Sequence, residues 1–222
     1  MKQLLYKEYR LCLSVQAVVF LSLSLLIVIP TWPALIPFIY SIIGILTIFP
    51  WAYANRDMEF TANLPVSKEN VVKGRIYFVA SLELLSMVWS IPFGFIRQFV
   101  LIPLLSEEAQ AASALSFNFA LYGFVFLSFA VFHLIFFPWY YRKPSDKNIA
   151  CQLVSSLSAM VVSAIIVALF TAFPSWSTFL DSCSTSALLT QLAILFGGLI
   201  LWVFASWIAY RGARRHFLAL NL

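Results

Sequence analysis

Six long apolar runs, almost free of charged residues, constrain the fold of this chain more than any other feature. They lie at about 12–30, 34–54, 76–96, 117–138, 151–173 and 187–210. A helix needs about 20 apolar residues to cross the hydrocarbon core, whereas a barrel strand needs about ten residues of alternating character. The sequence therefore predicts an all-α, polytopic membrane bundle with six transmembrane helices.

Composition supports a membrane protein and argues against a soluble one. Hydrophobic residues make up 62% of the chain and charged residues 10%, whereas soluble domains have about 45–50% and about 25%. Six spans use most of the length, so we expect residues 1–222 to form a single transmembrane domain. The seven glycines are scattered and form no phosphate-binding loop, so we expect no nucleotide hydrolysis by the chain itself.

The basic residues predict the orientation of the spans. If six spans alternate, thirteen of the fourteen Lys and Arg residues fall on one side, and only Arg97 falls on the other. Loops rich in Lys and Arg stay in the cytoplasm. Both termini are therefore predicted to be cytoplasmic. The dispersal of these residues among short loops argues against nucleic-acid binding.

The sequence offers no evident metal or catalytic site. Cys12 and Cys151 lie near the predicted cytoplasmic ends of their spans, whereas Cys183 lies in the last outer loop. Cys-x-x-Cys pairs and His/Cys clusters are absent, so we expect no metal site. Cys183 is expected to be a free thiol, the alternative being a bond to a partner subunit.

The first eleven residues carry a narrow apolar stripe beside basic residues. Met1, Leu5 and Tyr9 are spaced by four, next to Lys7 and Arg10. This pattern fits an interfacial helix over residues 1–11 that leads into span one. It fits equally well the cytoplasmic start of span one itself, so both interpretations stay open.

The segment between spans two and three carries defined helix start and stop signals. Asn55 is placed to cap a short helix, and Leu64-Pro65 then favours an extended turn. Ser67 is a good N-cap for a second helix that continues into span three. We therefore predict a short helix within residues 55–66, outside the membrane. A plain connecting loop is the simpler alternative.

The residues that follow resemble a known family. Leu64-Pro65-Val66-Ser67-Lys68-Glu69, followed by Val71-Val72-Lys73-Gly74-Arg75, is similar to a loop of the small bacterial type-2 ABC-transporter permeases. In that family the loop also lies between spans two and three. The six-span layout and the cytoplasmic termini are similar over the whole chain, whereas the motif covers about a dozen residues. The predicted outer segment 174–186 is shorter than in the larger family members.

The resemblance implies a function and partners. The chain would be the permease subunit of an ATP-driven exporter in a bacterial cytoplasmic membrane, not an enzyme. It would dock a separate ABC ATPase, which carries ATP and Mg²⁺, while the chain itself binds no cofactor. A second permease subunit would complete the unit, and the cargo would be a hydrophobic or amphipathic peptide, lipid or drug. No substrate-binding residue can be named.

The resemblance also assigns a docking element, the coupling helix. Its residues in this sequence are Arg56, Asp57, Met58, Glu59, Phe60, Asn63 and Leu64. Met58, Phe60 and Leu64 would supply the apolar contacts. Asp57 and Glu59 lie near the predicted helix N-terminus, where the helix dipole favours acidic groups, so they need not touch a partner.

Two ionisable residues lie within the predicted spans. Glu83 in span three and His133 in span four fall at similar depth in the inner leaflet, since an α-helix rises about 1.5 Å per residue. Ionisable groups in spans face the bundle interior and find partners, so we predict that the two are neighbours. The pair either pins two helices together or contacts a proton or a substrate. The first role is preferred, because an ATP-driven exporter needs no proton relay.

Other polar and small residues suggest contacts at the outer side and between helices. Arg97 is expected at the surface, with Glu107 and Glu108 as partners. Small residues at helical spacing let helices approach closely, and they predict packing faces either within the subunit or between two subunits. These are Ser155, Ala159 and Ser163 in span five, and Ala193, Gly197, Ala205 and Ala209 in span six.

Two other function classes remain. An intramembrane protease or lipid-modifying enzyme needs clustered catalytic groups in the spans, and only Glu83 and His133 are candidates. An energy-independent immunity or scaffold protein is the third class. An ATPase that co-purifies with the chain would distinguish the exporter from both.

Overall fold

The computed structural model describes residues 2–62, 66–105, 117–142, 148–182 and 184–219. Within these ranges all regular structure is helical, and the predicted all-α class is confirmed. The helices are α1 (Lys2–Lys7, with a π-helical extension Glu8–Cys12), α2 (Val15–Ser22, with a 3₁₀ extension Leu23–Val28), α3 (Ile36–Ala54), α4 (Asp57–Ala62), α5 (Lys68–Ile96, extended through Arg97–Leu101 and Ile102–Leu104), α6 (Phe119–Arg142), α7 (Ile149–Ala172), α8 (Pro174–Asp181) and α9 (Thr185–Leu218).

Five of these helices are long and apolar enough to cross a membrane. They are α3, α5 with its extension, α6, α7 and α9, by length and composition. The bent pair Lys2–Cys12 and Val15–Val28 adds a sixth span if it is taken as one. The chain therefore has the helices of a multi-pass membrane protein. The six-span topology with both termini in the cytoplasm stays a prediction.

Residues 2–28 do not form one continuous helix, and the bend lies at the predicted start of the first apolar run. The segments Lys2–Cys12 and Val15–Val28 meet at an angle of 93°. The Ser14 side chain caps the second segment by accepting a hydrogen bond of 3.1 Å from the Ala17 amide. Eight α-helical and six 3₁₀ residues span about 24 Å, less than the roughly 30 Å hydrocarbon core. The segment Val15–Val28 alone is therefore shorter than the hydrocarbon core, and α1 does not continue along its axis.

The α6 and α9 helices approach each other through glycine. A Cβ atom on Gly198 would lie 2.2 Å from the Gly123 carbonyl oxygen, and one on Gly123 would lie 2.4 Å from the Ile194 carbonyl oxygen. Both distances are shorter than any van der Waals contact. Glycine at these two positions is therefore what allows the backbones of α6 and α9 to touch.

The predicted packing faces agree with the structure in part. On α7, Ser155, Ala159 and Ser163 are all buried, and the Ser163 hydroxyl lies 2.9 Å from that of Ser128 on α6. On α9, Ala205 and Ala209 are buried, but Ala193 and Gly197 are exposed. The buried small residue in that turn is Gly198. The exposed Ala193 and Gly197 therefore do not form the packing face within the chain, and their packing against a second subunit stays a prediction.

Arg97 lies inside the protein and not at its surface. Its side chain is fully buried and donates hydrogen bonds to the Ile27 carbonyl (3.3 Å) and the Pro30 carbonyl (3.2 Å). Carbonyls at the C-terminal end of a helix attract a cation because the helix dipole is negative there. The expected exposure of Arg97 was wrong, whereas its expected partners Glu107 and Glu108 lie outside the described residues.

A short helix that the sequence analysis missed lies between α7 and α9. α8 begins at Pro174, a residue favoured in the first turn of a helix. Its Leu180 is buried, and the Gln191 side chain of α9 donates a hydrogen bond of 2.5 Å to the Leu180 carbonyl. Residues 174–181 of the short predicted outer segment thus form a helix that packs against α9.

Candidate functional site

The α4 helix follows a sharp reversal of the chain. Asn55 ends α3, and Arg56 adopts a positive φ of 50°, which is uncommon for a residue other than glycine. The Arg56 carbonyl then accepts the first hydrogen bond of α4, from the Phe60 amide at 3.0 Å. The prediction that Asn55 caps this helix was therefore wrong. Ser67 caps α5 as predicted, accepting from the Asn70 amide at 3.4 Å.

A cluster of four charged side chains fixes α4 to two other helices. Lys7 Nζ donates to Asp57 Oδ1 at 2.7 Å and to Thr61 Oγ1 at 2.6 Å. The Arg75 guanidinium donates to Asp57 Oδ2 at 2.5 Å, and its Nε lies 3.0 Å from Glu8 Oε2. Lys7 Nζ also lies 3.1 Å from Glu8 Oε1. We call Lys7, Glu8, Asp57 and Arg75 the four-charge cluster.

The four-charge cluster is buried and balanced. Glu8, Asp57 and Arg75 are each at most 5% exposed, and the Lys7 side chain is 10% exposed. Two carboxylates and two cations sum to zero, which is what makes burial of the group tolerable. The cluster joins α1, α4 and α5 through contacts between residues 18, 50 and 67 positions apart. It therefore fixes the connection between α3 and α5 to α1.

Three residues of this region have the spacing of a metal site. Ligand atoms of Glu8, Cys12 and Asp57 lie within 4.8 Å of one another, and all three residues are buried. Lys7 and Arg75 already neutralise both carboxylates. A divalent cation would add an uncompensated buried charge, so these residues fit an ion-pair cluster better than a metal centre.

The residues predicted to dock a partner do not all face the same way. The Asp57 side chain points into the four-charge cluster, whereas Phe60 is 52% exposed. The side chains of Met58 and Glu59, and residues Asn63 and Leu64, lie outside the part of the chain that the structure describes. α4 thus has one buried polar face, formed by Asp57 and Thr61, and one face that presents an aromatic ring.

Glu83 and His133 are in contact inside the bundle. Glu83 Oε1 lies 3.0 Å from His133 Nε2, and both side chains are fully buried. The Trp202 indole donates to Glu83 Oε2 at 2.9 Å. His133 Nδ1 lies 2.8 Å from Ser206 Oγ, which in turn donates to the Trp202 carbonyl at 2.7 Å. These residues form a closed polar network across α5, α6 and α9.

Of the four-charge cluster, the sequence singled out Asp57 but not the contacts of Lys7, Glu8 and Arg75. Nothing local to these residues indicates a contact with a side chain 18 to 67 positions away. Trp202 and Ser206 carry a weak signal, since residues four apart share a face of a helix. A hydroxyl and an indole N–H on one face at the depth of Glu83 would have suggested the network.

Two cavities lie against the bundle surface. The larger, of 640 Å³, lies between α2, α3 and α7. Most of the side chains that line it are apolar, but Gln16 and Gln152 also line it. The smaller, of 350 Å³, lies under α8 and is lined by residues that include Phe124, Phe170 and Trp176. Neither contacts the four-charge cluster or the Glu83–His133 pair.

Comparisons of the chain with protein-family models, with curated proteins and with solved structures give no match.

Proposed function

We propose that this chain is the membrane-spanning subunit of an ATP-driven exporter and that α4 docks a separate ATPase subunit. The observation that carries the proposal is the two-faced character of α4. One face is fixed by the buried four-charge cluster, and the other presents the exposed Phe60 ring. Aromatic side chains are the anchors that dominate interface energies once they are buried by a partner.

A docking helix must also transmit displacement to the spans. Asp57 joins α4 through short contacts to Lys7 on α1 and to Arg75 at the base of α5. A push on α4 therefore moves α1 and α5 together, because breaking a buried ion pair is costly. Closure of an ATPase dimer would thus reach α5, which also carries Glu83.

The remaining parts of the proposal follow from the sequence. The basic asymmetry supports a cytoplasmic membrane location with both termini inside. ATP and Mg²⁺ belong to the ATPase, and this chain contributes no catalytic residue. A second permease subunit completes the unit, and the apolar lining of both cavities suits a hydrophobic or amphipathic cargo.

The docking role predicts the effect of a charge on α4. Phe60→Asp places a carboxylate on the apolar anchor and is expected to abolish co-purification of the ATPase and cargo-stimulated ATP hydrolysis. The chain itself should insert and fold, because Phe60 is half exposed and makes no core contact. The measurement is a pull-down of the ATPase by the purified chain, together with size-exclusion chromatography of the variant.

Phe60→Leu is the matched control, because it keeps an apolar side chain at the same place. It should retain most of the ATPase. Undiminished ATPase association and hydrolysis in a folded Phe60→Asp variant would show that α4 does not dock the partner.

The orientation has an independent test. In a chain freed of its native cysteines, Lys2→Cys and Ser182→Cys each place one exposed thiol at opposite ends of the bundle. A membrane-impermeant maleimide added to intact cells should label position 182 and not position 2. Labelling of position 2 would overturn the orientation without bearing on the contacts of α4.

A further inference from the structure

The Glu83 carboxylate is buried in the bundle, and among the described residues no lysine or arginine contacts it. Its contacts there are the Trp202 indole and the His133 ring. Two arginines of the same helices have other partners: Arg75 lies in the four-charge cluster, and the Arg211 guanidinium lies 3.7 Å from the centre of the Trp207 ring. The charge state of Glu83 therefore depends on His133.

The hydrogen bonds around the pair require one proton between the Glu83 and His133 side chains. Ser206 donates its hydroxyl hydrogen to the Trp202 carbonyl, so it receives a hydrogen from His133 Nδ1. His133 Nε2 then faces Glu83 Oε1 at 3.0 Å, and neither atom has another hydrogen-bond partner in the described structure. Without a proton between them, two lone pairs would face each other beside an uncompensated buried charge, which is unfavourable.

We propose that Glu83 and His133 form a binding site for a single proton, and that this proton closes a latch between α5, α6 and α9. The pair is neutral overall whether the proton resides on the carboxyl or on the imidazole. Loss of the proton leaves an anion in an apolar bundle and removes the hydrogen bond between Glu83 on α5 and His133 on α6. This inference goes beyond the proposed function, since it rests on the contacts of the pair and not on ATPase docking.

No other titratable group of the described residues contacts the pair. The α2 segment 15–28 contains none, and the Tyr9 hydroxyl of the α1 extension lies 2.6 Å from Ser81 Oγ and not against the pair. The groups on the other helices that pack around the pair lie elsewhere along those helices. These groups are Tyr40 and Tyr53 on α3; Lys68, Glu69, Lys73, Arg75, Tyr77 and Arg97 on α5; Tyr122, Tyr140, Tyr141 and Arg142 on α6; Cys151 on α7; and Tyr210, Arg211, Arg214, Arg215 and His216 on α9. On α5, α6 and α9 each is at least four residues from the network, and Cys151 donates to the Phe136 carbonyl.

The chain allows a direct observation of the proton. It contains two histidines, so His216→Gln leaves His133 as the single imidazole. Nitrogen-15 histidine is incorporated into this variant, which is placed in phospholipid bilayers and studied by solid-state NMR from about pH 5 to about pH 9. A free imidazole titrates at about pH 6.5. We expect a ring that is protonated at Nδ1 throughout, with an Nε2 resonance displaced by the shared proton.

Glu83→Gln provides the matched variant. Its side-chain amide can donate to Nε2, so the ring should be neutral, protonated at Nδ1, and without the shared-proton displacement. If His133 in the chain with Glu83 is protonated at Nε2 and unprotonated at Nδ1, the proposal is wrong, because Glu83 would then be an unprotonated carboxylate. Free titration of the wild-type ring would overturn it as well.

The link between the helices has a separate readout. In the His216→Gln chain, Glu83→Leu and His133→Leu should each lower the thermal unfolding midpoint, because each leaves one buried polar side chain without its partner. The double variant should lose less than the sum of the two single losses, whereas His133→Leu combined with the exposed control Glu69→Gln should be additive. Additive losses for Glu83 and His133 would show that the shared proton does not join α5 to α6.

Discussion

Replacing Gly198 by valine is expected to separate α6 from α9 and to destabilise the bundle severely. The new Cβ would begin 2.2 Å from the Gly123 carbonyl oxygen, a backbone atom that cannot move alone. Overpacking in a well-packed interior costs about 1–3 kcal/mol, and a clash with backbone lies at the upper end of that range or above it. Trp202, one turn further along α9, would also be moved away from Glu83.

Gly197 is the control within the same turn. A Cβ atom at Gly197 would meet nothing within 4 Å, so Gly197→Val should cost less than about 0.5 kcal/mol, as surface changes usually do. The measurement is the apparent melting temperature in detergent, followed by size-exclusion chromatography. Equal losses for the two variants would mean that α6 and α9 do not meet through Gly198.

Loss of Arg75 is expected to have the second large effect. Arg75→Met removes one cation from the four-charge cluster and leaves Glu8 and Asp57 with a single neutralising partner, Lys7. Breaking a buried ion pair by removing one member costs about 3–5 kcal/mol. We expect α4 to detach from α5, which limited proteolysis between residues 55 and 68 would report as faster cleavage.

Two further variants identify the cause of that loss. Arg75→Met combined with Glu8→Met removes one charge of each sign and leaves the Lys7–Asp57 pair, so stability should return, since apolar replacements of buried pairs are often neutral. Arg214→Gln breaks the Glu69–Arg214 pair, whose side chains are more than 40% exposed, and should cost at most about 1 kcal/mol. A loss in Arg214→Gln as large as in Arg75→Met would contradict the special role of the cluster.

The helical spans and one contact could be predicted because they depend on short-range information. Apolar runs of 20 residues indicate helices directly, and the shared depth of Glu83 and His133 follows from the rise per residue. The observed distance of 3.0 Å between Glu83 Oε1 and His133 Nε2 agrees with that expectation. Ser67 was recognisable for a similar reason, since a capping residue acts on amides two or three positions away.

The bends and the long-range ion pairs could not be predicted. Nothing local to Lys7 indicates Asp57, and the break at Leu13–Ser14 lies inside an apolar run that looks continuous. The choice between Gly197 and Gly198 also depends on tertiary packing, because adjacent residues of a helix point about 100° apart. A small-residue stripe indicates that a packing face exists, whereas the neighbouring helix decides which of two adjacent glycines it uses.

The close approach of Gly123 to Gly198 closes the seam between α6 and α9. A seam that has no room for a methyl group admits neither an acyl chain nor a peptide side chain. If the chain carries cargo as proposed, lateral entry between α6 and α9 is therefore blocked at this depth. The cargo would then have to pass along another flank, such as the one where the 640 Å³ cavity lies between α2, α3 and α7.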